Sequence, residues 1–557
     1  MQKALLSICL SVGFLVCAPF VEAHGPVVST KYGSLGGKYL KVKGMQTLIH
    51  TYLSVPFAKP PVGSLRLAPP EAPVGWEGMR DATQQPPVCL QDKDFLALLM
   101  KNISIEMEMP ETSEDCLYLN VYTPAKPSED SQFPVMVWIH GGGFFSGGVS
   151  LFDGSALAAY ENVVVVVIQY RLGILGFFST EDEYAPGNFG LLDQVAALRW
   201  VQENIHSFGG NPKSVTIFGQ SAGGASVSLQ LLSPLSAGLF HRAIAQSGTA
   251  RIKALFHSNP LPRTQAVANM SGCDITSTKK IVECMMQKTE EEMLSIQQQS
   301  KGLGSTVTVD GAFLTKPIDE IFQNHEFHKV PFMTGVTSQE FGWLLSSHYG
   351  PEGWVEGTDR EEVMPTLTLL NPQPADPWIN DLIADEYLGS SRDREAIRDG
   401  WVEMMGDMMF VFPAIETANF YRDAGVPVYL YEFRQPPEVL QKKRPSLVTC
   451  DHADDIFFVF GMCFVDGHFK FTEEFPEKDK KLSRTVMSYF GNFAWTGSPN
   501  GENLVPWAQY GKEAAYLEIG TEQRVNYHLK GHRYTFVTKT VQEKIRARQE
   551  QKEHGEL

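Results

Sequence analysis

The stretch Val215-Thr216-Ile217-Phe218-Gly219-Gln220-Ser221-Ala222-Gly223-Gly224 passes from a β-branched apolar run into a Gly-x-Ser-x-Gly turn and then into a helix-forming segment, residues 225–232. Such a turn brings neighbouring backbone so close that only small residues fit at 219 and 223. It also lifts the Ser221 hydroxyl out of the sheet toward a helix N-terminus, where developing negative charge is stabilised. Ser221 is therefore the candidate nucleophile; the competing reading is a turn with a purely structural role. Working outward, short apolar runs at 135–139, 163–170, 243–246, 330–335 and 426–433 read as further buried strands. Being apolar on both faces, they suit the interior of a mostly parallel sheet. Residues 191–208 show helical apolar spacing through Leu192, Val195, Leu198, Val201 and Ile205, ending at Gly209-Gly210 and Pro212. Alternating strand and helix predicts a doubly wound α/β sheet with helices on both faces. Residues 250–330 and 340–440 are more helical and read as excursions over that sheet, and no Gly/Ser linker divides the chain.

A second glycine motif, His140-Gly141-Gly142-Gly143, directly follows the 135–139 run. Acyl transfer needs N–H donors aimed at an oxyanion, and a glycine run exposes backbone amides without side-chain obstruction. The amides of Gly142, Gly143 and Ala222 are the candidate donors. A phosphate cradle is excluded because no Gly-Lys-Ser/Thr follows. Serine is a weak nucleophile at its own pKa and needs a base oriented by an acid. Among 14 histidines, His452 stands out in the polar run Thr449-Cys450-Asp451-His452-Ala453-Asp454-Asp455. For the acid, Glu340 follows the 330–335 strand, with Glu403 and Asp407 as competitors.

The chain has 557 residues, 43% hydrophobic and 20% charged, enough to bury a large core and too apolar for disorder. Its net charge of −17 and the lack of a basic stripe argue against a nucleic-acid partner. Residues 1–23 combine Lys3, an apolar stretch and a small-residue end at Ala23, and read as a secretory signal peptide. No later stretch reaches the roughly 20 apolar residues of a membrane span, so no transmembrane anchor is expected. The chain ends His554-Gly555-Glu556-Leu557, which reads as a retention signal of the His-x-Glu-Leu type, with Gly555 departing from the usual Asp. The expected location is the endoplasmic reticulum lumen with a retention receptor as partner; secretion is the alternative. Residues 24–553 read as one domain.

In an oxidising lumen the near pairs Cys89–Cys116 and Cys273–Cys284 are expected as disulfides, other pairings and the state of Cys450 and Cys463 staying open. No Cys-x-x-Cys spacing occurs, so no metal site is expected, nor any cofactor. Asn102-Ile103-Ser104 and Asn269-Met270-Ser271 are candidate glycan acceptors.

Over essentially its whole mature length the chain resembles the type-B carboxylesterases of the α/β-hydrolase fold. The resemblance rests on residues 56–63 (PFAKPPVG), 113–120 (SEDCLYLN), both glycine motifs, Glu340-Phe341-Gly342-Trp343, Asp451-His452 and residues 495–501 (WTGSPNG). It implies a Ser221–Glu340–His452 triad, the two disulfides above, and structural ion pairs Arg66–Glu114 and Arg171–Asp193. Within the family the chain is most similar to the vertebrate carboxylesterase 2 branch, which includes avian medium-chain fatty acyl-CoA hydrolases. The implied substrates are small carboxylic esters and acyl thioesters.

Two positions depart from the family. Gln220 stands where Glu is usual, which should weaken attraction for cations and lower the pKa of His452. Ala453 stands where Gly is usual. Rival readings within the fold are a cholinesterase, a lipase and a non-catalytic adhesion protein. A cholinesterase would carry a Trp in residues 92–109 for cation–π binding, and none occurs there. An adhesion relative would lack the serine.

Overall fold

The computed structural model describes residues 25–555, apart from 103–104, 125–131, 257–258, 301–305, 372–376, 467–468 and 472. The expected signal peptide and the last two residues of the terminal tetrapeptide lie outside the described residues. An 11-stranded sheet forms the centre of the molecule. In chain order its strands are β1 (Lys38–Leu40), β2 (Ile49–Pro56), β3 (Tyr118–Thr123), β4 (Phe133–Ile139), β5 (Val164–Ile168), β6 (Gly210–Gln220), β7 (Arg242–Gln246), β8 (Phe332–Thr337), β9 (Val428–Phe433), β10 (Ala515–Ile519) and β11 (Gln523–Tyr527). Their spatial order is β11-β10-β9-β8-β7-β6-β4-β5-β3-β2-β1. The run from β5 through β4 and β6 to β10 is parallel. The edge pairings β3–β5, β2–β3, β1–β2 and β10–β11 are antiparallel.

All six expected strands are present, with ends shifted by a few residues. The five unforeseen ones lie toward the two ends of the sheet, each with an antiparallel neighbour. Burial sets only the two outermost strands apart: β4, β5 and β7 are buried almost throughout, as are β2, β3 and β10, whereas β1 and β11 hold only exposed and half-buried positions.

Alternate residues of each parallel strand serve opposite layers. Val135, Val137, Ile139, Val164 and Val166 join one core with Leu198 and Val201 from helix α1 (Phe189–Asn204) and Ala225 and Leu229 from helix α2 (Ala222–Leu232). Met136, Trp138, Val165 and Val167 join the other with Met487, Phe490 and Phe493 of the helix Glu477–Thr496. Each such side chain, buried completely, contributes roughly 1.5–3 kcal/mol. Trp138 sits within 4.8 Å of both the Phe218 and Phe460 rings, filling the space behind the strand that carries the serine.

The expected excursions are helical. A cap of helices Leu261–Met270, Thr278–Gln287 and Glu290–Ser300 has its own small core, including Val267, Ile281 and Met293. The Cys273–Cys284 disulfide closes the cap and Cys89–Cys116 lies beside β3, while Cys450 and Cys463 are free and buried. Arg171 pairs in two-pronged fashion with Asp193 at 2.8 Å, and Arg66 with Glu114, both pairs buried. Arg66 also donates to carbonyls of Met285, Met286 and Lys288, tying the cap to the sheet domain. Among the described residues no helix is long and apolar enough to cross a membrane.

Candidate active site

Polar side chains collect at the C-terminal ends of β4, β6, β7 and β8, where an open α/β sheet offers a crevice to ligands. Ser221 occupies the turn between β6 and α2 with φ 58° and ψ −124°. That conformation costs roughly 1–3 kcal/mol and persists only when its surroundings hold it. Here they do: the Ser221 amide donates to the Gln246 carbonyl of β7 (2.9 Å), and its own carbonyl accepts from Ala225 (2.8 Å). The small-residue requirement read at 219 and 223 holds. A Cβ on Gly223 would lie 1.9 Å from the Ile139 carbonyl oxygen, and one on Gly219 2.5 Å from the same atom.

The glycine loop leaves β4 beside the serine. Gly142 has φ 107°, and a Cβ there would strike the Ser146 carbonyl. Its shape is set by neighbours: Phe145 and Ser146 amides donate to Gly142 O, and Gly147 N–H donates to Gln91 (2.8 Å). His140 lies under the loop, stacked on Tyr170 at 4.5 Å, and the Tyr170 hydroxyl donates to His140 O (2.8 Å). Burial, partly offset by the Gly141 carbonyl, pushes the His140 pKa down to about 4, so this ring is neutral scaffold.

His452 and Glu340 meet although they are far apart in sequence. His452 Nδ1–H donates to Glu340 Oε2 (2.5 Å), and Glu340 Oε1 accepts from the Ser247 hydroxyl (2.6 Å) and the Thr337 amide (2.7 Å). The two loops are zipped together. Gln339 N–H donates to Cys450 O (3.0 Å), and the Asp451 carboxylate accepts from the Trp343 and Leu344 amides (2.9 Å each). The run 449–455 is no solvated loop: Asp451, Asp454 and Asp455 are all buried. Arg444 compensates with a two-pronged bond to Asp454 (2.8 and 2.9 Å). Burial alone would lower the His452 pKa; Glu340, with help from Asp451 and Asp455, outweighs it and raises the net value. Ala453 adopts a left-handed φ of 73°, which costs an L-residue roughly 1–2 kcal/mol and explains why glycine suits this position.

The competing acids are elsewhere. Glu403 and Asp407 line a separate cavity of about 330 Å³ behind Glu340. There Asp407 accepts from the Tyr387 hydroxyl (2.9 Å), and burial pushes its pKa up to about 7.

Sequence reasoning missed a second layer. The Asp455 carboxylate accepts from Gln246 and the Tyr431 hydroxyl (2.8 Å each), and Phe410 lies 4.6 Å from the His452 ring. Asp454-Asp455, beginning two residues after His452, was the available signal, since paired acids beside an apolar run seldom stay charged without partners.

Gln220 supplies the main surprise: its side-chain amide donates to His452 Nε2 (3.0 Å), the nitrogen a serine proton would reach. A carboxylate at that distance would favour the imidazolium and raise the pKa. Gln220→Glu is therefore expected to move the acidic limb of the kcat/KM profile to higher pH, by roughly one unit. An unmoved limb would show that this contact does not set the basicity of His452.

Gly142, Gly143, Ser221, Ala222 and His452 all face one cavity of about 860 Å³, whose walls include Phe144, Phe177, Phe410, Phe457 and Met462. That is the size and character of a site for small apolar ligands. Asn269 is exposed near the end of the Leu261–Met270 helix, while Asn102 ends a helix next to residues that are not described.

Sheet order, the strand–turn–helix around Ser221 and the crevice beside it define an α/β-hydrolase. The sequence profile described as "Carboxylesterase family" matches residues 24–537, and the chain belongs to that family of carboxylic ester hydrolases. It is 45% identical to "Fatty acyl-CoA hydrolase precursor, medium chain" of Anas platyrhynchos over 542 residues, covering 96% of each chain. It is 44% identical to "Pyrethroid hydrolase Ces2e" of Rattus norvegicus, over 96% of this chain and 94% of that one. It is equally 44% identical to "Cocaine esterase" of Homo sapiens, over 96% and 95%. The resemblance to the carboxylesterase 2 branch and the avian acyl-CoA hydrolases therefore stands.

Proposed function

We propose that this chain hydrolyses carboxylic esters and medium-chain fatty acyl thioesters through a covalent acyl-enzyme, with Ser221 as nucleophile, His452 as base and Glu340 as its orienting acid. The observation that carries the reading is His452, held by Glu340 at 2.5 Å on the wall of the cavity into which Ser221 opens. Substrate entry displaces the Gln220 amide from Nε2, and His452 takes the Ser221 proton as the oxygen attacks the carbonyl. The oxyanion is received by the amides of Gly142, Gly143 and Ala222, each typically worth roughly 2.7–4 kcal/mol of transition-state stabilisation. Collapse expels the alcohol or thiol, protonated by His452. Water, activated by the same base, then frees the acid and restores the serine. The acyl-CoA part of the proposal is supported by the likeness to the Anas platyrhynchos hydrolase.

Residues 24–553 act as one catalytic domain in this reading. The leader 1–23 is removed, and residues 554–557 engage a retention receptor in the endoplasmic reticulum lumen, with Asn102 and Asn269 glycosylated. Both disulfides fit such an oxidising compartment. The test is a chain-length series of p-nitrophenyl esters and acyl-CoAs. Hydrolysis of both, with a maximum at medium length, is expected. Turnover of neither, together with no labelling by an organophosphate, would overturn the proposal in favour of an adhesion or binding role.

A further inference from the structure

Arg263 is the one cation on the wall of the large cavity, among the described residues, that has no partner in the chain. The other arginine there, Arg444, is bound to Asp454. Among the described residues no carboxylate lies within ion-pair distance of the Arg263 guanidinium, and no hydrogen bond to its side chain is present. Its position is unfavourable in a second way. It sits in the first turn of the 10-residue helix Leu261–Met270, where the dipole disfavours positive charge. Its partial burial disfavours the charged form further. Among the described residues nothing offsets these costs, and an anion in the cavity would relieve them together. The helix is also firmly placed: Val267 and Ala268 are completely buried in the disulfide-tied cap, so the backbone that carries Arg263 is set at the cavity wall before any ligand arrives.

We propose that Arg263 is a specificity residue that receives an anionic group, carboxylate or phosphate, carried by the substrate at a distance from its scissile carbonyl. This rests on the hydrolase reading above and narrows its substrate class. It also answers a problem set by the net charge of −17, which repels anionic substrates from the protein as a whole. A single cation on an otherwise largely apolar wall restores local attraction, and a guanidinium holds carboxylate or phosphate with two parallel bonds.

Two matched substrate pairs locate the anion. On the acyl side, p-nitrophenyl hydrogen adipate is compared with p-nitrophenyl hexanoate. On the leaving-group side, hexanoyl-CoA is compared with the neutral hexanoyl-N-acetylcysteamine. The quantity read is the ratio of kcat/KM, anionic over neutral, in the full-length protein and in its Arg263→Gln and Arg263→Lys variants. In Arg263→Gln the ratio should fall roughly tenfold or more in at least one pair, mainly through KM, and Arg263→Lys should recover most of it. The pair that responds identifies which part of the substrate carries the anion. Ratios unchanged in both pairs, in a variant that melts normally, overturn the proposal. Failure of the wild type on all four substrates would instead overturn the hydrolase reading.

Discussion

Ser221→Ala is expected to reduce ester turnover by roughly 10⁶-fold while leaving the thermal unfolding midpoint close to that of the unaltered protein. The loss follows from chemistry rather than from damage to the fold. Alanine keeps the backbone through which the turn is held, namely the hydrogen bond its amide donates to the Gln246 carbonyl and the one its carbonyl accepts from the Ala225 amide. It inherits the same strained φ of 58°. Only the hydroxyl is lost, and with it the covalent route. The residual rate, supplied by substrate binding and the oxyanion amides, should still exceed that in water, as in other triads. Two measurements check this: kcat on a p-nitrophenyl ester, and mass-spectrometric stoichiometry of an organophosphate adduct. Turnover within tenfold of the original would remove Ser221 from its role.

Glu340→Gln should cost roughly 10⁴-fold in kcat, a large loss for the exchange of one atom. The hydrogen-bond pattern shows why. Glu340 Oε1 accepts from both Ser247 and Thr337, so a glutamine is forced to keep its oxygen on that side. Its NH₂ then faces His452 Nδ1, which must become an acceptor, and the ring proton moves to Nε2. In that tautomer Nε2 has no lone pair for the serine proton. The carboxylate that raises the His452 pKa is also gone, so burial dominates and the pKa falls. The remaining activity should therefore show an acidic limb displaced to lower pH. Activity within tenfold, with an unmoved limb, would mean that another acid, such as Asp455, orients the base.

The legible part of the site was the part encoded locally. Gly219, Ser221 and Gly223 announce themselves because a strand-to-helix reversal leaves no room for larger side chains, and His140 to Gly143 because amides need clearance. Glu340 and His452 carried no comparable local signal. Each was one acid or histidine among several, and resemblance to the carboxylesterases, rather than spacing, selected them over Glu403 and Asp407. The Gln220–His452 contact was invisible for the same reason. At position 220 the sequence shows only the absence of a charge, whereas the fold shows where the replacing amide points.

From the sequence alone came the α/β alternation, the parallel core strands, the nucleophile turn and the acidic balance, because each depends on short-range periodicity, sterics or composition. Tertiary structure alone decided which acid meets which histidine, since that pairing is made by loops after β8 and before the helix Asp454–Val459, over a hundred residues apart. It also decided that Asp451, Asp454 and Asp455 are buried and partnered rather than solvated, and that Arg263 lines the cavity with no counterion among the described residues. Burial and long-range pairing set the energies of these charges, and neither is a property of neighbouring residues along the chain.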